Sequence, residues 1–244
     1  MRRLALLLAG GHALLRPGPG AGGARGARRT VATGKKTRRV GREEAWQLKK
    51  EKEAAAAKRR GGRATDTPPA SIAFGGCEIV EDHRYEQFFY DDATAARMLR
   101  KVAAYERPLL VCNPSLAARI HENGAENYLL LDRDERFESL NFQSFDLMAP
   151  EPVDFDFDAI FLDPPFANVG PKDLANAVSV LLGDRDPRTP LYVGYNMERA
   201  GDLEAAFAEM HLNETPETLS YASGVMHGRI ALFTNYRPWG VANR

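Results

Sequence analysis

The tetrapeptide Asp163-Pro164-Pro165-Phe166 has the residue types that suit a chemical task. It follows the apolar run AIFL, so its two prolines fix the backbone as it leaves a buried strand and hold Asp163 extended. In such a turn the Asp163 carboxylate and a proline carbonyl converge as acceptors that can hold an amino group with its lone pair aimed at a methyl donor. Phe166 offers a flat face to a base or an ammonium group. The alternative is a proline-rich turn that only ends the strand.

Polar residues also follow the other apolar runs of the sequence. Asn113-Pro114-Ser115 comes after the first run, Asp132 ends the second, and Asp146 lies at the third. In an open α/β sheet, ligands bind beyond the carboxyl ends of the strands, and a carboxylate about 20 residues after the first loop suits a ribose diol. A helix-capping role for Asp132 remains the alternative. The first loop has no Gly-x-Gly-x-x-Gly, which counts against NAD but not against S-adenosyl-L-methionine, a cofactor without phosphate.

From residue 71 onward, apolar runs alternate with segments of helical period. Continuous runs such as AIFLD are typical of strands that are buried on both faces of a parallel sheet. We therefore predict an α/β fold with a mostly parallel sheet and a closing antiparallel strand pair. The predicted strands are 108–113, 128–132, 142–147, 159–163, 191–195 and 229–236, the last in a hairpin with 218–223, and the predicted helices are 92–105, 116–123, 171–182 and 198–210.

Charge divides the 244 residues into two unlike parts. Residues 1–66 hold 18 Lys/Arg and 5 Asp/Glu, whereas residues 67–244 hold 15 Lys/Arg and 28 Asp/Glu, so the second part repels phosphates. Two cysteines are too few for a disulfide framework or a cysteine-based zinc site, and the histidines show no metal-ligand spacing. We therefore expect no metal. The longest apolar run is far shorter than the roughly 20 residues that span a bilayer, so we expect no membrane partner either.

The basic part of the chain predicts a targeting segment followed by a linker. Residues 1–42 hold eleven basic residues and no acidic one, as an organellar transit peptide does, and we expect a mitochondrial protein, with plastid or cytoplasm as alternatives. A secretory signal or an uncleaved basic tail remains open. Residues 43–70 read as a basic helical linker, solvated or, over 43–63, in contact with RNA phosphates. Residues 71–244 then form the folded domain.

Several segments together resemble the family of probable N6-adenine methyltransferases. They are DPPF, EQFFYD at 86–91 with Thr94 and Ala95, LVCNPS at 110–115, LDRDERF at 131–137 and FTNY at 233–236. The resemblance implies a Rossmann-like class I methyltransferase, with a seven-stranded, mostly parallel sheet, helices on both faces, and S-adenosyl-L-methionine as cofactor. It assigns the catalytic role to the DPPF motif. The residues implied to bind the cofactor are Gln87, Tyr90, Asn113, Pro114, Ser115, Asp132 and Asp146.

The resemblance leaves three possible functions. The family includes lysine methyltransferases of translation elongation factor 1-alpha and a ribosomal RNA adenine-N6 methyltransferase. The QFFY segment resembles the first branch and Phe166 the second, while the zinc-binding segments of the RNA enzyme are absent. The acidic domain favours a lysine of a translation factor or ribosome-associated protein over an RNA or DNA adenine. A catalytically inactive structural subunit of an organellar assembly is the third possibility, and the intact DPPF motif argues against it.

Overall fold

The computed structural model describes residues 68–236. The predicted transit peptide, nearly all of the predicted linker and the last eight residues lie outside the described residues. The first described strands form a two-stranded antiparallel sheet, β1 (Ser71–Phe74) and β2 (Cys77–Val80), which the sequence analysis did not predict. Gly75 and Gly76 connect them with positive φ angles of 55° and 80°, a conformation that glycine adopts without strain.

Seven further strands of the described residues form one sheet in the order β5-β4-β3-β6-β7-β9-β8. The first five strands of this order are parallel, and β9 runs antiparallel to both of its neighbours. All residues of β3 and β6 are buried, as expected of strands covered on both faces. The strands are β3 (Pro108–Val111), β4 (Leu129–Asp132), β5 (Phe142–Ser144), β6 (Ala159–Leu162), β7 (Leu191–Asn196), β8 (Asn213–Leu219) and β9 (Ile230–Thr234).

The four α-helices within residues 68–236 pack as two pairs, α1 with α2 and α3 with α4. The strand order runs one way from β3 through β4 to β5 and the other way from β6 to β7. Right-handed crossovers therefore place α2 and α3 on opposite faces, and the order in which successive strands are added to the sheet reverses between β3 and β6. The helices are α1 (Asp92–Val102), α2 (Pro114–Glu122), α3 (Pro171–Leu182) and α4 (Ala200–Ala206), and short 3₁₀ helices lie at His83–Tyr85, Glu135–Phe137, Met197–Arg199 and Ala208–Met210.

This architecture confirms the predicted fold class, but three predicted elements were wrong in extent. The predicted strand 142–147 ends at Ser144, where the Asp146 side chain caps a turn by accepting from the Met148 N–H at 2.9 Å. The predicted helix 198–210 is a short α-helix flanked by two 3₁₀ turns.

The strand expected at 218–223 spans Asn213–Leu219 instead. Its ladder to β9 shifts register between Glu214 and Thr218, around Pro216, because proline cannot donate to a ladder. Beyond the strand, Tyr221 pairs in an isolated antiparallel bridge with Tyr90. This bridge brings the segment before α1 against the closing strands.

Candidate active site

Asp163 follows β6 at the reversal point of the sheet and is the centre of the candidate site. Its side chain is buried, with 9% relative exposure, and its Oδ1 accepts a hydrogen bond of 2.8 Å from the Tyr221 hydroxyl. Burial raises the pKa of Asp163 to about 7, and the hydroxyls of Tyr221 and Tyr90 restrain that rise by favouring the ionised form. A carboxyl that titrates near neutrality can accept and release a proton under ordinary conditions.

Gly194 makes room for this carboxylate. Leu162 pairs with Val193 in the parallel register, so Gly194 lies beside Asp163 on the next strand. A Cβ atom at position 194 would stand 2.9 Å from Asp163 Oδ1 and 2.8 Å from a methyl group of Leu219. Both distances are too short for real Cβ contacts, so the absence of a side chain at Gly194 lets Asp163 lie against β7.

The loop after Asp163 is fixed by hydrogen bonds to its backbone. The Pro165 carbonyl accepts from the N–H groups of Asn168 and Val169, so this carbonyl is already engaged in a turn. Among residues 68–236, no backbone N–H donates to the carbonyl of Pro164, which leaves it as the candidate second acceptor of the DPPF motif. A Glu86 oxygen accepts from the Ala167 N–H at 2.9 Å and ties the loop to the QFFY segment.

Phe166 is buried, with 5% relative exposure, and its ring meets the Tyr195 ring edge to face with centroids 5.7 Å apart. Its carbonyl accepts from Arg199, whose guanidinium lies 5.6 Å from the centroid of the Tyr195 ring. The Phe166 ring is therefore packed against its neighbours and presents no exposed face. Stacking of an acceptor on Phe166 remains a prediction, and it requires the ring or its neighbours to move.

The cofactor side of the candidate site begins with Asp132, the last residue of β4, which is 9% exposed. Its Oδ1 accepts from the Asp134 N–H at 3.0 Å, and burial raises the pKa of Asp132 to about 6. At neutral pH the carboxylate is therefore mostly ionised and suited to accept from hydroxyl donors. Cys112 lies between Asp132 and Asp163 in the register, and burial and the nearby carboxylates raise the pKa of its thiol.

Asn113, Pro114 and Ser115 form the loop and first turn between β3 and α2. Pro114 occupies the first helical turn, where its missing N–H costs nothing. The Ser115 hydroxyl accepts from the Tyr90 N–H at 3.3 Å, and Asn113 Nδ2 donates to the Tyr90 hydroxyl at 3.2 Å. Asn113 Oδ1 is buried and has no hydrogen-bond partner among the described residues. A buried acceptor without a donor fits a ligand that brings one.

Two other predicted cofactor residues lie at the same edge of the sheet. The Gln87 side chain donates to Asp134 at 2.9 Å and accepts from Arg136 at 3.1 Å, so both ends of its amide are bonded within the protein. Asp146 follows β5 and caps the turn after it. The structure thus brings Asn113, Asp132 and Asp146 to the ends of adjacent strands, while Gln87 reaches them through Asp134. Whether each one contacts a cofactor remains a prediction.

Tyr221 and Gly194 were not predicted from the sequence, and Tyr90 was assigned to the cofactor. Tyr90 and Tyr221 stack with ring centroids 5.6 Å apart, and both hydroxyls lower the pKa of Asp163. Tyr221 follows β8, 58 residues beyond Asp163, and no local pattern marks it. The glycine inside the apolar run LYVGY was a usable signal, because a glycine within a strand often marks a close approach.

A family model identifies the class of protein to which the chain belongs. The family model described as probable N6-adenine methyltransferase matches residues 81–237, which is more than half of the chain. The chain therefore belongs to this family. Membership confirms an S-adenosyl-L-methionine-dependent methyltransferase as the class of enzyme. The buried, unpartnered Oδ1 of Asn113 is an acceptor that fits this cofactor, which carries hydrogen-bond donors. No curated protein sequence matches the chain significantly.

The solved structures that match the chain are distant from it in sequence. A ribosomal protein L11 methylase from Lactobacillus delbrueckii is 16% identical, with a TM-score of 0.41 over 60% of this chain and 79% of its own. The N-methyltransferase NodS from Bradyrhizobium japonicum, solved with S-adenosyl-L-homocysteine, is 13% identical, with a TM-score of 0.41 over 62% of this chain and 88% of its own. An S-adenosylmethionine-dependent methyltransferase from Mesorhizobium loti is 13% identical, with a TM-score of 0.41 over 58% of this chain and 95% of its own.

Within residues 68–236, no group of three or more His, Cys, Asp or Glu side chains is placed to hold a metal ion. In the same part of the chain, no helix has the length and apolarity to cross a membrane.

Proposed function

We propose that this protein transfers a methyl group from S-adenosyl-L-methionine to the side-chain amine of a lysine in a translation factor or ribosome-associated protein. The observation that carries the proposal is the buried Asp163 carboxylate, which accepts from the Tyr221 hydroxyl, has a pKa of about 7 and lies three residues before the aromatic Phe166. A cationic ammonium group suits both an ionised carboxylate and aromatic faces.

In this reaction Asp163 accepts one proton and later releases it. Lysine has a reference pKa near 10.4, so it arrives protonated and must lose a proton before its nitrogen can attack. The ionised Asp163 holds the ammonium group and accepts that proton, because the pKa of Asp163 lies near neutrality. Bound cofactor supplies the electrophilic methyl group. The neutral amine left by this proton transfer would be the nucleophile that takes this methyl group from the sulfonium, and Asp163 would then release its proton to solvent.

Charge favours a basic protein over a nucleic acid as the acceptor. Residues 68–236 hold 13 Lys/Arg and 28 Asp/Glu, so their net charge is −15. Binding to RNA draws most of its free energy from Lys and Arg at phosphates, and a strongly acidic surface opposes it. The same surface attracts basic segments of proteins of the translation apparatus.

An adenine-N6 amino group of RNA or DNA is the second candidate. The family description and the phenylalanine of the DPPF motif favour it. In this case Asp163 accepts from the N6–H, and Phe166 stacks on a base that has left its helix, as flipped-base enzymes require. The predicted basic linker at 43–63 would then contribute phosphate contacts.

A labelling experiment distinguishes these acceptors. Purified protein and cofactor with a labelled methyl group are added to cell extract, which is then treated with protease or with ribonuclease and deoxyribonuclease. We expect protease to destroy the labelled product, and loss on nuclease treatment instead would identify the adenine reaction. Asp163→Asn protein serves as the matched control, because it keeps the fold but lacks the proton acceptor. Absence of label with the native protein would contradict both candidates.

We also propose that residues 1–42 direct the protein to mitochondria. The support is their basic, acid-free composition. A fusion of residues 1–42 to a fluorescent reporter should colocalise with a mitochondrial marker. The matched control replaces four of its arginines with glutamine. Plastid or diffuse cytoplasmic fluorescence of the native fusion would contradict the proposal.

A further inference from the structure

Glu81 is a buried carboxylate that lies outside the candidate site. It follows β2, and its side chain has 0% relative exposure. Its Oε1 accepts from the Phe89 N–H at 2.6 Å, and its Oε2 accepts from the Ala70 N–H at 2.9 Å. His83 Nε2 lies 2.8 Å from Oε2, and the Ser223 hydroxyl donates to Oε1 at the longer distance of 3.5 Å. Because a buried carboxylate is unstable without donors, Glu81 holds together the segments that supply them.

The backbone of Phe89 connects Glu81 to the segment that follows β8. Its N–H donates to Glu81, and its carbonyl accepts from the Ala222 N–H at 2.8 Å. The residue before Ala222 is Tyr221, which pairs with Tyr90 in the isolated antiparallel bridge. A second backbone hydrogen bond, of 3.0 Å, closes this bridge on its other side. The bridge therefore joins the strand-like segment that Glu81 anchors to the segment that carries Tyr221.

Tyr221 is the point where this anchor meets the candidate site. Its hydroxyl donates to Asp163 Oδ1 at 2.8 Å. Tyr221 lies in the connection between β8 and β9, outside both strands, so its backbone depends on other contacts. One is at Ser220, whose N–H donates to Thr94 Oγ1 in α1 at 3.0 Å. The other is the bridge, which Glu81 holds from the side of β2.

We propose that Glu81 is a positioning residue, which anchors the backbone of Phe89 and thereby holds the Tyr221 hydroxyl against Asp163. Each step of this path is a hydrogen bond or a neighbouring residue in the chain. The inference rests on the proposed function only in that Asp163 is the proton acceptor of the reaction. Tyr221 donates to the ionised carboxylate, so its placement favours the form of Asp163 that can accept a proton.

Other groups also face Asp163 and remain the same throughout the test. Tyr90, which precedes α1, stacks on Tyr221. Cys112 follows β3 and has a thiol whose pKa the Asp163 charge helps to raise, after the larger effect of burial. On the other neighbouring strand, β7, Gly194 brings no titratable group. Differences between the variants below therefore report the path from Glu81 through Tyr221.

The protonation of Asp163 can be measured without any substrate. Full-length protein that carries carbon-13 at the side-chain carboxyl carbon of aspartate is titrated by NMR from pH 5 to pH 9. The signal that is absent from Asp163→Asn belongs to Asp163. Tyr221→Phe sets the scale: it removes the donor to the ionised carboxylate and should raise the pKa of Asp163 by about one pH unit.

The decisive variant is Glu81→Met, which keeps the length of the side chain but removes both acceptor oxygens. It should raise the pKa of Asp163 by no more than Tyr221→Phe does, because Thr94 still holds one side of the connection. Added to Tyr221→Phe, it should cause no further rise. The loss of a negative charge alone would lower the pKa of Asp163, so the sign of the change separates position from charge.

Two controls isolate the acceptor oxygen. Glu81→Gln removes the same charge but keeps one oxygen, which should face the buried Phe89 N–H because water can reach the half-buried Ala70. The pKa of Asp163 should then stay near its native value. Asp158→Ala removes a carboxylate that accepts from two backbone N–H groups before β3, at the opposite edge of the sheet. This change should lower the free energy of unfolding and leave the pKa of Asp163 unchanged.

The outcomes separate this proposal from the proposed function. Urea unfolding shows which variants are folded. If Glu81→Met does not fold, Glu81→Asp replaces it, because its shorter side chain draws the carboxylate away from Phe89 and should cause a smaller rise in the same direction. An unchanged or lowered pKa of Asp163 in the folded variant, or a rise that adds to that of Tyr221→Phe, overturns the role of Glu81. Absence of methyl transfer by the native protein overturns the proposed function instead and leaves the measured effect of Glu81 intact.

Discussion

The two sides of the candidate site are built in different ways. On the cofactor side, each acidic side chain is held by backbone close to it in sequence, as Asp132 is by the Asp134 N–H and Asp146 by the Met148 N–H. On the acceptor side, Asp163 is held by the phenol of a distant segment, Tyr221, whose ring stacks on Tyr90. Local backbone caps stabilise the ionised state in any fold that forms the strand end. Phenol donors require the whole sheet to close first.

Burial, more than this difference in hydrogen bonds, sets the protonation of the two carboxyls. Burial raises the pKa of Asp132 to about 6 and that of Asp163 to about 7. At pH 7.5 both are mostly ionised, but only Asp163 changes state near neutrality. The cofactor side therefore offers a nearly constant charge for binding, whereas the acceptor side offers a group that exchanges a proton with its substrate.

Replacing Asp163 should separate the two sides most clearly. Asp163→Asn keeps the shape of the side chain but removes the proton acceptor, so methyl transfer should fall by about 10²–10⁴-fold. Binding of S-adenosyl-L-homocysteine should stay within about threefold at pH 8, where native Asp163 is already ionised. Radiolabel transfer and calorimetry measure the two quantities. A variant that retains most of the native rate would show that DPPF is only a turn at the end of β6.

The same substitution should change how stability depends on pH. In the native fold Asp163 has a pKa of about 7, above the unfolded value near 3.9, so the folded state binds more protons between these values. Its contribution therefore destabilises the fold progressively as pH rises from about 4 to 7, by up to about 4 kcal/mol. Asp163→Asn should lose this decline. Urea unfolding at pH 5 and pH 8 measures it, and an equal decline in both proteins would contradict the assigned pKa.

Gly194 offers a way to disturb the acceptor side without changing any polar group. The added methyl group of Gly194→Ala would displace Asp163 or Leu219, at a cost of about 1–3 kcal/mol in the free energy of unfolding. Methyl transfer should fall more than cofactor affinity does. The matched control is Gly201→Ala in α4, where a Cβ meets nothing within 4 Å and helix propensity favours alanine. Equal effects of the two changes would remove the special role of Gly194.

The contrast between the sides also explains what could be predicted from the sequence. Asn113, Asp132 and Asp163 follow apolar runs directly, and the ends of parallel strands meet at one edge, so their convergence was predictable. Tyr221 lies in a loop beyond a strand that contains Pro216, and its approach to Asp163 depends on the register of β7, β8 and β9. Such tertiary contacts leave no periodic pattern. The effect of the Tyr90 hydroxyl on the pKa of Asp163 was likewise not predictable, because it depends on where this hydroxyl points in the folded protein.

The smallest expected effect tests the cofactor side. Asp132→Ala removes a buried carboxylate at the end of β4 and should weaken S-adenosyl-L-homocysteine binding at least tenfold, which corresponds to about 1.4 kcal/mol.

Because the pKa of Asp132 is about 6 and the ionised form accepts from hydroxyl donors, native affinity should fall as pH drops from 7 to 5. The variant should lose that pH dependence. Calorimetry over this range measures both, with Asp134→Asn as a control that keeps the backbone N–H bonded to Asp132. If Asp132→Ala binds the ligand as tightly as the native protein, Asp132 only caps the turn that follows its strand, and the division of the site into two sides has to be redrawn.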